Sequence, residues 1–252
     1  MESEYGRVYR ELYDRHWWWR AREAVLMRTL RRLRAGRPPT RVLDVGSGDG
    51  LFFPKLAEFG EVTGVEPDAG LIAPDSPHRE RIFTGPFDER FDPGVRFGLI
   101  TMLDVLEHLD DPAGALRHAM GLLEPGGAVV ATVPAFTLLW THHDELNQHR
   151  IRFTEASFRR TAALARAEVR EIRYFFHWTF PAKLAVRAME RVRGPGGPER
   201  VPASPVNRLL YGVSRAEEAL LGRLRLPFGT SLLAVCTPAG ERARASSAEE
   251  RP

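Results

Sequence analysis

Residues 41–50, with the sequence RVLDVGSGDG, constrain the fold of this 252-residue chain more than any other stretch. Val42, Leu43 and Val45 form the short apolar run expected of a parallel strand that is covered on both faces. Three alternate glycines follow, and they let the backbone turn sharply and bring N–H groups close to a ligand. A helix is predicted over residues 51–59. Strand, glycine loop and helix together predict an α/β fold with a nucleotide site at the loop.

A second strand is predicted after this helix, over residues 61–66. It ends at Glu66, which lies 22 positions after Asp44, and Pro67 then directs the chain away. An acid about 20 residues beyond a glycine loop is well placed to accept hydrogen bonds from both hydroxyls of a ribose. The spacing therefore predicts a ligand that contains a ribose.

The segments VLDVGSGDG and VTGVEP resemble the cofactor-binding half of the class I methyltransferases, which use S-adenosyl-L-methionine (AdoMet). The resemblance implies an α/β fold, a seven-stranded Rossmann-like sheet with helices on both faces. In that family the acid at Asp44 lies near the methionine end of the cofactor, the glycine loop lies beneath it, and the acid at Glu66 binds the ribose. The cofactor-binding residues implied here are Asp44, Gly46, Ser47, Gly48, Gly50, Glu66 and Pro67.

Two later segments extend the resemblance. After the third strand the family often carries an acid that binds the adenine amino group, but Pro86 stands at that place here, and Asp88 or a backbone contact is the alternative. The segment LDVLEHLDDP resembles the matching part of quinone-biosynthesis methyltransferases. It implies that Leu103 and Asp104 flank the cofactor and that His108 lies on the substrate side. His108 is a candidate general base, with a structural role at a helix end as the alternative.

An aromatic arm precedes the first strand. Residues 3–35 are predicted to be helical and contain three adjacent tryptophans at positions 17–19. Adjacent residues cannot share one helix face, so at least one ring should point away from the local core. The arm resembles the N-terminal lid of many small-molecule methyltransferases. This resemblance implies that Trp18 contacts substrate and that Arg20 or Arg22 faces a carboxylate, and simple packing is the alternative.

A polar loop, residues 139–153, follows the fifth strand at the edge of the sheet where ligands of such folds bind. Three histidines, two acids and two arginines lie within residues 142–152, and a similar segment occurs in a bacterial branch of the superfamily. Several roles remain open: proton removal by a histidine, binding of an anionic acceptor by an arginine, a metal site, or a loop that braces the arm. The candidates are His143 and His149 as bases, Trp140, Arg150 and Arg152 as substrate contacts, and His142, His143, Asp144 and His149 for the metal alternative, although no metal is predicted.

About fifty residues separate the predicted sixth and seventh strands, and two helices are predicted there, over residues 180–192 and 206–224. Such helices would cover an apolar or extended substrate. Contact with a membrane surface or a second subunit, and simple capping of the core, are the alternatives. The predicted division is a helical and aromatic arm (1–37), an AdoMet-binding core (38–178), a helical insertion (179–228), a last core strand (229–238) and a disordered tail (239–252).

The composition indicates in which cellular compartment the protein is expected. The single cysteine, Cys236, excludes an internal disulfide framework and fits a reducing compartment. No stretch approaches the roughly 18 consecutive apolar residues of a membrane span, and the N-terminus lacks the apolar core of a secretory signal, so a cytoplasmic protein is expected. The formal net charge is +3, and no nucleic-acid module is recognised, so no nucleic acid is expected as a partner.

These features predict a methyltransferase that moves a methyl group from AdoMet to an oxygen or nitrogen, less readily a carbon, of a small-molecule or lipid-like acceptor. Two other classes stay open. An NAD(P)-dependent oxidoreductase would also need a glycine loop and a ribose acid, but the G-x-G-x-x-G spacing is missing. A non-catalytic AdoMet-fold binding or regulatory protein is the other, because fold does not determine function.

Overall fold

The computed structural model describes residues 10–194 and 200–240, in which seven strands form one mixed sheet. The strand order is β3-β2-β1-β4-β5-β7-β6. β7 is antiparallel to both β5 and β6, and the other neighbours are parallel. The predicted seven-stranded Rossmann-like sheet is confirmed. The strands are β1 (Thr40–Val45), β2 (Gly60–Glu66), β3 (Ile82–Thr84), β4 (Phe97–Leu103), β5 (Leu123–Pro134), β6 (Ala167–Phe175) and β7 (Ser231–Pro238).

Helices lie between the strands and before the first of them. None of the described helices is both long and apolar enough to span a bilayer. Residues 10–15 are also helical, and His16 separates them from the first long helix. The α-helices are α1 (Trp17–Arg34), α2 (Phe53–Leu56), α3 (Pro112–Gly121), α4 (His142–Leu146), α5 (Glu155–Leu164), α6 (Thr179–Arg193) and α7 (Ser204–Leu221).

The sheet is buried on both faces, as the apolar run of β1 predicts. Successive side chains of a strand point to opposite faces, so Val42 and Leu43 enter different halves of the core. Val42 packs in one buried cluster with Leu30 of α1 and Phe53 of α2. Leu43 packs in the other with Phe158 of α5, among others. This two-sided core holds the carboxyl ends of β1, β2, β4 and β5 at one edge, where the strand order reverses between β1 and β4.

Several predicted bounds differ from the structure. The helix predicted over 51–59 is the four-residue α2, since Pro54 lies in its first turn and the chain must return to β2 at Gly60. The arm helix is interrupted at His16, whose side chain caps α1 by accepting from the Trp18 amide. The second helix of the insertion ends at Leu221 rather than at residue 224. Residues 1–9, 195–199 and 241–252, which include parts of the predicted arm, helical insertion and tail, lie outside the described residues.

Candidate active site

The turn after β1 holds its glycines in the left-handed backbone region, with φ of +70° at Gly46, +52° at Gly48 and +73° at Gly50. A residue with a Cβ is strained in that region. At Gly46 a Cβ would also lie 2.6 Å from Cγ2 of Val105. At Gly48 nothing lies within 4 Å of the place a Cβ would take. The loop is therefore packed tightly at its first glycine and open at its second.

Glu66 ends β2, and its carboxylate ties that strand to the loop. Oε2 accepts a hydrogen bond from the Gly48 amide at 2.8 Å, and Oε1 accepts one from the Asp68 amide at 3.0 Å. Glu66 is only 4% exposed, and burial raises its pKa although both backbone donors oppose that shift. Each carboxylate oxygen can accept a second hydrogen bond, so Glu66 keeps acceptor capacity for a ligand.

Asp44 and Ser47 lie on either side of the first glycine and differ in what they offer. The Asp44 side chain accepts a hydrogen bond from Thr101 Oγ1 at 2.6 Å, and burial raises its pKa to about 7 despite that bond. The Ser47 hydroxyl is buried and lies over Gly64 of β2, where an added Cβ would meet it at 2.5 Å. The Ser47 amide donates to the Val65 carbonyl at 3.1 Å, so its backbone ties the glycine loop to β2.

The arm is locked onto the ends of β4 and β5 by Arg22, which is only 7% exposed. Its Nη2 donates to Thr132 Oγ1 at 2.9 Å and lies 2.8 Å from Oδ2 of Asp104. Thr132 Oγ1 in turn donates to Asp104 Oδ1 at 2.9 Å, which closes a triangle. Asp104 is held at a φ of +58°, a conformation that few non-glycine residues adopt. Nε of Arg22 is buried without a hydrogen-bond partner, so one donor of the guanidinium remains for a ligand.

The three adjacent tryptophans are half-buried and lie in one cluster of aromatic rings. Trp17 lies 5.4 Å from the ring of Trp178, just before α6, and Trp18 lies 5.8 Å from the ring of Phe176. The guanidinium of Arg22 lies 5.5 Å from the ring centre of Trp18. The cluster thus joins the arm to the end of β6 and the helical insertion, and the predicted contact of Trp18 with substrate stays a prediction.

Glu107 lies in the 3-10 turn after β4 (Leu106–His108), and it is fully buried. Neither of its carboxylate oxygens has a hydrogen-bond partner. Burial, and secondarily the charge of Asp104, raise the pKa of Glu107 well above its ordinary value. A buried carboxyl group in this state is costly unless it is neutral or meets a partner. Such groups concentrate at functional sites, which makes Glu107 a site residue that the sequence reasoning missed.

Asp144 organises the polar loop from within. Its Oδ1 accepts from Nδ1 of His149 at 2.8 Å and from Nε of Arg152 at 2.7 Å, and its Oδ2 accepts from the Thr141 amide at 2.8 Å. Burial favours the neutral acid, but the hydrogen bonds from His149 and Arg152 outweigh it and hold the pKa of Asp144 well below its ordinary value. The ionised Asp144 therefore orients the His149 ring and directs its other nitrogen, Nε2, away from the carboxylate.

Arg152, a predicted substrate contact, is held inside the polar loop. Its side chain is only 4% exposed, and besides Asp144 it bonds the Ala135 carbonyl through Nη1 at 2.9 Å. The guanidinium is thus committed to the loop interior and is not presented to an anionic acceptor. A buried arginine that satisfies a buried carboxylate and a strand-end carbonyl instead closes the loop on itself.

Three side chains from two distant segments meet in what we call the acid–histidine cluster: Glu107, His108 and His149. A carboxylate oxygen and one ring nitrogen from each histidine all lie within 4.8 Å of one another. The two rings meet edge to face with centres 4.8 Å apart, and the Arg150 amide holds the polar loop in place by donating to the Glu107 carbonyl at 2.8 Å. Burial, and then His149, lower the pKa of His108, so this ring is neutral near pH 7.

The cluster has the composition of a metal site, with two imidazoles and one carboxylate. Its residues differ from those of the metal site considered from the sequence, which included His142 and Asp144. In the structure Asp144 is hydrogen-bonded to Arg152, and His142 is hydrogen-bonded to Glu145 at 3.0 Å. Within the described ranges it is the group of side chains that has metal-ligand spacing.

Three further predicted site residues, His143, Arg150 and Trp140, belong to the polar loop. The His143 ring lies 6.2 Å from that of His149, beside the side-chain amide of Asn147. Arg150 is exposed and donates from Nε to the His108 carbonyl at 2.9 Å, and it also pairs with Asp110. Trp140 is half-buried where the polar loop begins.

Asp88, the predicted adenine contact, is held by its own neighbour. Arg90 donates to it from the backbone at 2.9 Å and from the guanidinium, and the side-chain bond above all lowers the pKa of Asp88 to about 2. An adenine amino group would have to compete with this exposed pair.

Thr101 and Thr132, which hydrogen-bond to Asp44 and Asp104, were missed by the sequence reasoning. The one available signal was a hydroxyl side chain within a buried stretch of each strand.

Comparison with known proteins places this arrangement in a family. The methyltransferase domain family matches residues 18–179. The ubiquinone biosynthesis O-methyltransferase of Paramagnetospirillum magneticum is 36% identical over 108 residues, which cover 39% of this chain and 43% of that protein. The chain thus matches less than half the length of this curated relative.

Solved structures agree on the fold. An S-adenosylmethionine-dependent methyltransferase from Clostridium acetobutylicum superposes with a TM-score of 0.56, covering 94% of this chain and 99% of that one at 9% identity. A TehB-like methyltransferase from Corynebacterium glutamicum superposes with a TM-score of 0.55, covering 94% and 97% at 18% identity. Identities this low support the shared fold alone.

The family match covers well over half of the chain, and it begins within the aromatic arm and ends at the start of α6. It therefore includes the glycine loop, Glu66, the acid–histidine cluster and the polar loop. The chain belongs to the methyltransferase domain family.

Proposed function

We propose that this chain is a class I methyltransferase that moves a methyl group from AdoMet to an oxygen or nitrogen of a small-molecule acceptor. The observation that carries the proposal is the glycine loop at the point where the strand order reverses, clamped to β2 by Glu66. Ligands of open α/β sheets bind at this point. The acid–histidine cluster lies at the same edge and provides the chemistry for the acceptor.

The residues present fit AdoMet. The open face at Gly48 allows close approach of the ligand to the backbone, and Glu66 has remaining lone pairs for the ribose hydroxyls. The unpartnered Nε of Arg22 is a donor suited to a carboxylate. When bound, AdoMet supplies a methyl group on a sulfonium, which is already activated for transfer. The protein's task is then to place the acceptor atom about 3 Å from that methyl group and in line with the breaking bond.

The second task is to remove a proton from the acceptor, and His149 is the side chain best placed to do this. Asp144 accepts from Nδ1, which leaves Nε2 with a lone pair that can take a proton from a hydroxyl. The same carboxylate stabilises the imidazolium that forms. The neutral His108 lies against His149 and can accept a hydrogen bond from the acceptor or relay the proton outward.

A metal-assisted form of the same reaction is the second candidate, and the unpartnered carboxylate of Glu107 favours it. A divalent cation held by Glu107, His108 and His149 would orient an acceptor hydroxyl and lower its pKa. In that form His149 is a ligand rather than a base. Activity of protein treated with a chelator, measured before and after addition of Mg²⁺, Mn²⁺ or Zn²⁺, separates the two forms.

The experiment that tests the cofactor assignment is calorimetric titration with S-adenosylhomocysteine. We expect micromolar binding to the wild type and at least tenfold weaker binding to Glu66→Ala, which corresponds to about 1.4 kcal/mol. Glu61→Ala is the matched control, because Glu61 is an exposed acid at the start of the same strand. Thermal unfolding of each variant checks that the loop is intact.

The other function classes predict different results. Tighter binding of NAD(P)H than of S-adenosylhomocysteine would favour an oxidoreductase. Binding of S-adenosylhomocysteine without turnover across hydroxyl and amine acceptors would favour a non-catalytic protein. Equal affinity in the wild type and Glu66→Ala would refute the role given to Glu66.

A further inference from the structure

The helical insertion carries a stripe of exposed apolar side chains on α7. Val206, Leu209, Val213 and Leu220 are 49%, 65%, 39% and 77% exposed. Their spacing of three, four and seven residues places them on one side of the helix. We call these four residues the apolar stripe. On α6, Val186, Met189 and Val192 are also exposed, at 39%, 51% and 84%.

The stripe is not the face with which α7 packs on the protein, because a different face does that. Asn207 accepts from the Trp17 amide at 2.8 Å, and Ser214 accepts from Nε1 of Trp178 at 3.1 Å. Glu218 forms a buried ion pair with Arg173 at 3.0 Å. The helix thus packs on the protein through an inner face that includes Asn207, Ser214 and Glu218, and its apolar stripe is exposed.

The charge of this surface is positive, because its acids are used internally. Among the described residues of 179–228 the acids are three glutamates. Glu190 accepts from the His142 amide at 3.1 Å, and Glu217 accepts from the His177 and Trp178 amides at 2.9 and 2.7 Å. Glu218 pairs with Arg173 as described. The exposed arginines are Arg191 and Arg193 on α6, Arg200 between the two helices, Arg208 and Arg215 on α7, and Arg223 and Arg225 after it.

We propose that the outer face of the helical insertion docks on the surface of an anionic lipid bilayer. The apolar stripe would enter the boundary between headgroups and acyl chains, and the arginines would meet lipid phosphates. A second copy of the chain is a poorer partner, because it would bring two positive surfaces together. A nucleic acid is also poorer, since a phosphate backbone offers nothing to a line of valines and leucines.

The helical insertion contacts both the arm and the polar loop. Its inner face holds the arm through Trp17, and Glu190 holds the start of α4 in the polar loop. Docking would therefore bring this edge of the protein to the bilayer surface. Uptake of an acceptor dissolved in the membrane is a consequence that rests on the proposed function, whereas docking itself does not.

The test is sedimentation of the full chain with vesicles of phosphatidylglycerol and phosphatidylcholine, compared with phosphatidylcholine alone. We expect binding to the anionic vesicles that falls with added salt. The double variant Leu209→Glu/Leu220→Glu should weaken it at least about tenfold. Leu164→Glu is the control, because Leu164 is 68% exposed on the distant helix α5. Arg208→Glu/Arg215→Glu should weaken binding, and Arg160→Glu on α5 should not.

Three results would overturn the proposal. The first is absence of wild-type binding to anionic vesicles, and the second is equal binding by the stripe variant and the wild type. The third is a lipid-free dimer, seen by sedimentation velocity, that the stripe variant dissociates, which would assign the surface to a second copy. Affinity for S-adenosylhomocysteine should be the same in all these variants, so failure of docking and failure of the proposed function are distinguishable.

Discussion

The glycine loop after β1 and the polar loop after β5 lie at the same edge of the sheet, yet they are held by different kinds of contact. In the glycine loop, the Gly48 amide donates to the carboxylate of Glu66, and positive φ angles shape the chain. In the polar loop, side chains hold each other: Asp144 binds an arginine and a histidine within a buried interior.

The difference explains why one half of the site can be recognised in the sequence and the other cannot. A loop that presents backbone amides needs glycine at a few fixed positions, and this leaves a short local motif. A site assembled from side chains needs only that the chain bring them together. Glu107 and His149 lie 42 residues apart in the sequence and meet only in the folded protein.

Removing the Asp144 carboxylate should have the largest effect, because the polar loop is held by side chains rather than by its backbone. Asp144→Asn leaves Arg152 buried with one charge unpaired, so we expect a loss of about 3–5 kcal/mol in the free energy of unfolding. Because the pKa of Asp144 is lowered in the folded state, the difference from wild type should be full above about pH 5 and shrink as the solution becomes more acidic. Denaturant unfolding at several pH values measures it. Glu145→Gln, on an exposed neighbour, is the control, and equal losses in both variants would contradict the assignment.

Truncating the candidate base should separate catalysis from cofactor binding. His149→Ala is expected to lower kcat by about 100-fold or more, because a positioned general base contributes that much. The affinity for S-adenosylhomocysteine should change by less than about twofold, since the glycine loop does not depend on this ring. His142→Ala, which removes only the side-chain contact with Glu145, is the matched control. Unchanged turnover in His149→Ala would eliminate the base.

Asp44, in the cofactor-binding half of the site, should make the stability of the protein depend on pH. The pKa of Asp44 is raised by burial to about 7, so the folded chain retains a proton that the unfolded chain releases above about pH 4. Stability should therefore decrease as pH rises from about 4 to 7, by at most about 1.4 kcal/mol per pH unit. Unfolding curves for Asp44→Asn should lack this part of the slope. Parallel slopes in the two proteins would show that Asp44 is ionised throughout.

The smallest expected effect concerns the backbone. Gly48→Ala meets no neighbour, so its cost is the strain of a positive φ alone, about 1–2 kcal/mol. Gly121→Ala, in helix α3 with equally open surroundings, should instead stabilise by about 0.5–1 kcal/mol. Thermal unfolding of the two variants measures both effects. Stabilisation by both changes would show that the loop does not need its left-handed turn.

The sequence by itself was sufficient for the architecture, because strand–loop–helix motifs are local and because two of them resemble those of the class I methyltransferases. It identified the seven strands, the loop glycines and the acid that ends β2. It also marked His108 and His149 as candidates, although for each a structural role was equally compatible with the pattern. Element ends were less accurate, as at α2, because tertiary constraints set where a short helix must stop.

Only the tertiary structure decided what each polar side chain is free to do. Arg152 and Ser47 are predicted ligand contacts, and only the structure shows that the first pairs with Asp144 and that the hydroxyl of the second lies against Gly64. Glu107 was passed over, and it proved to be the buried carboxyl group without a partner. The pKa and the hydrogen bonds of a side chain depend on its burial and on neighbours that are distant in the sequence. The order of residues in the sequence shows neither its burial nor these neighbours.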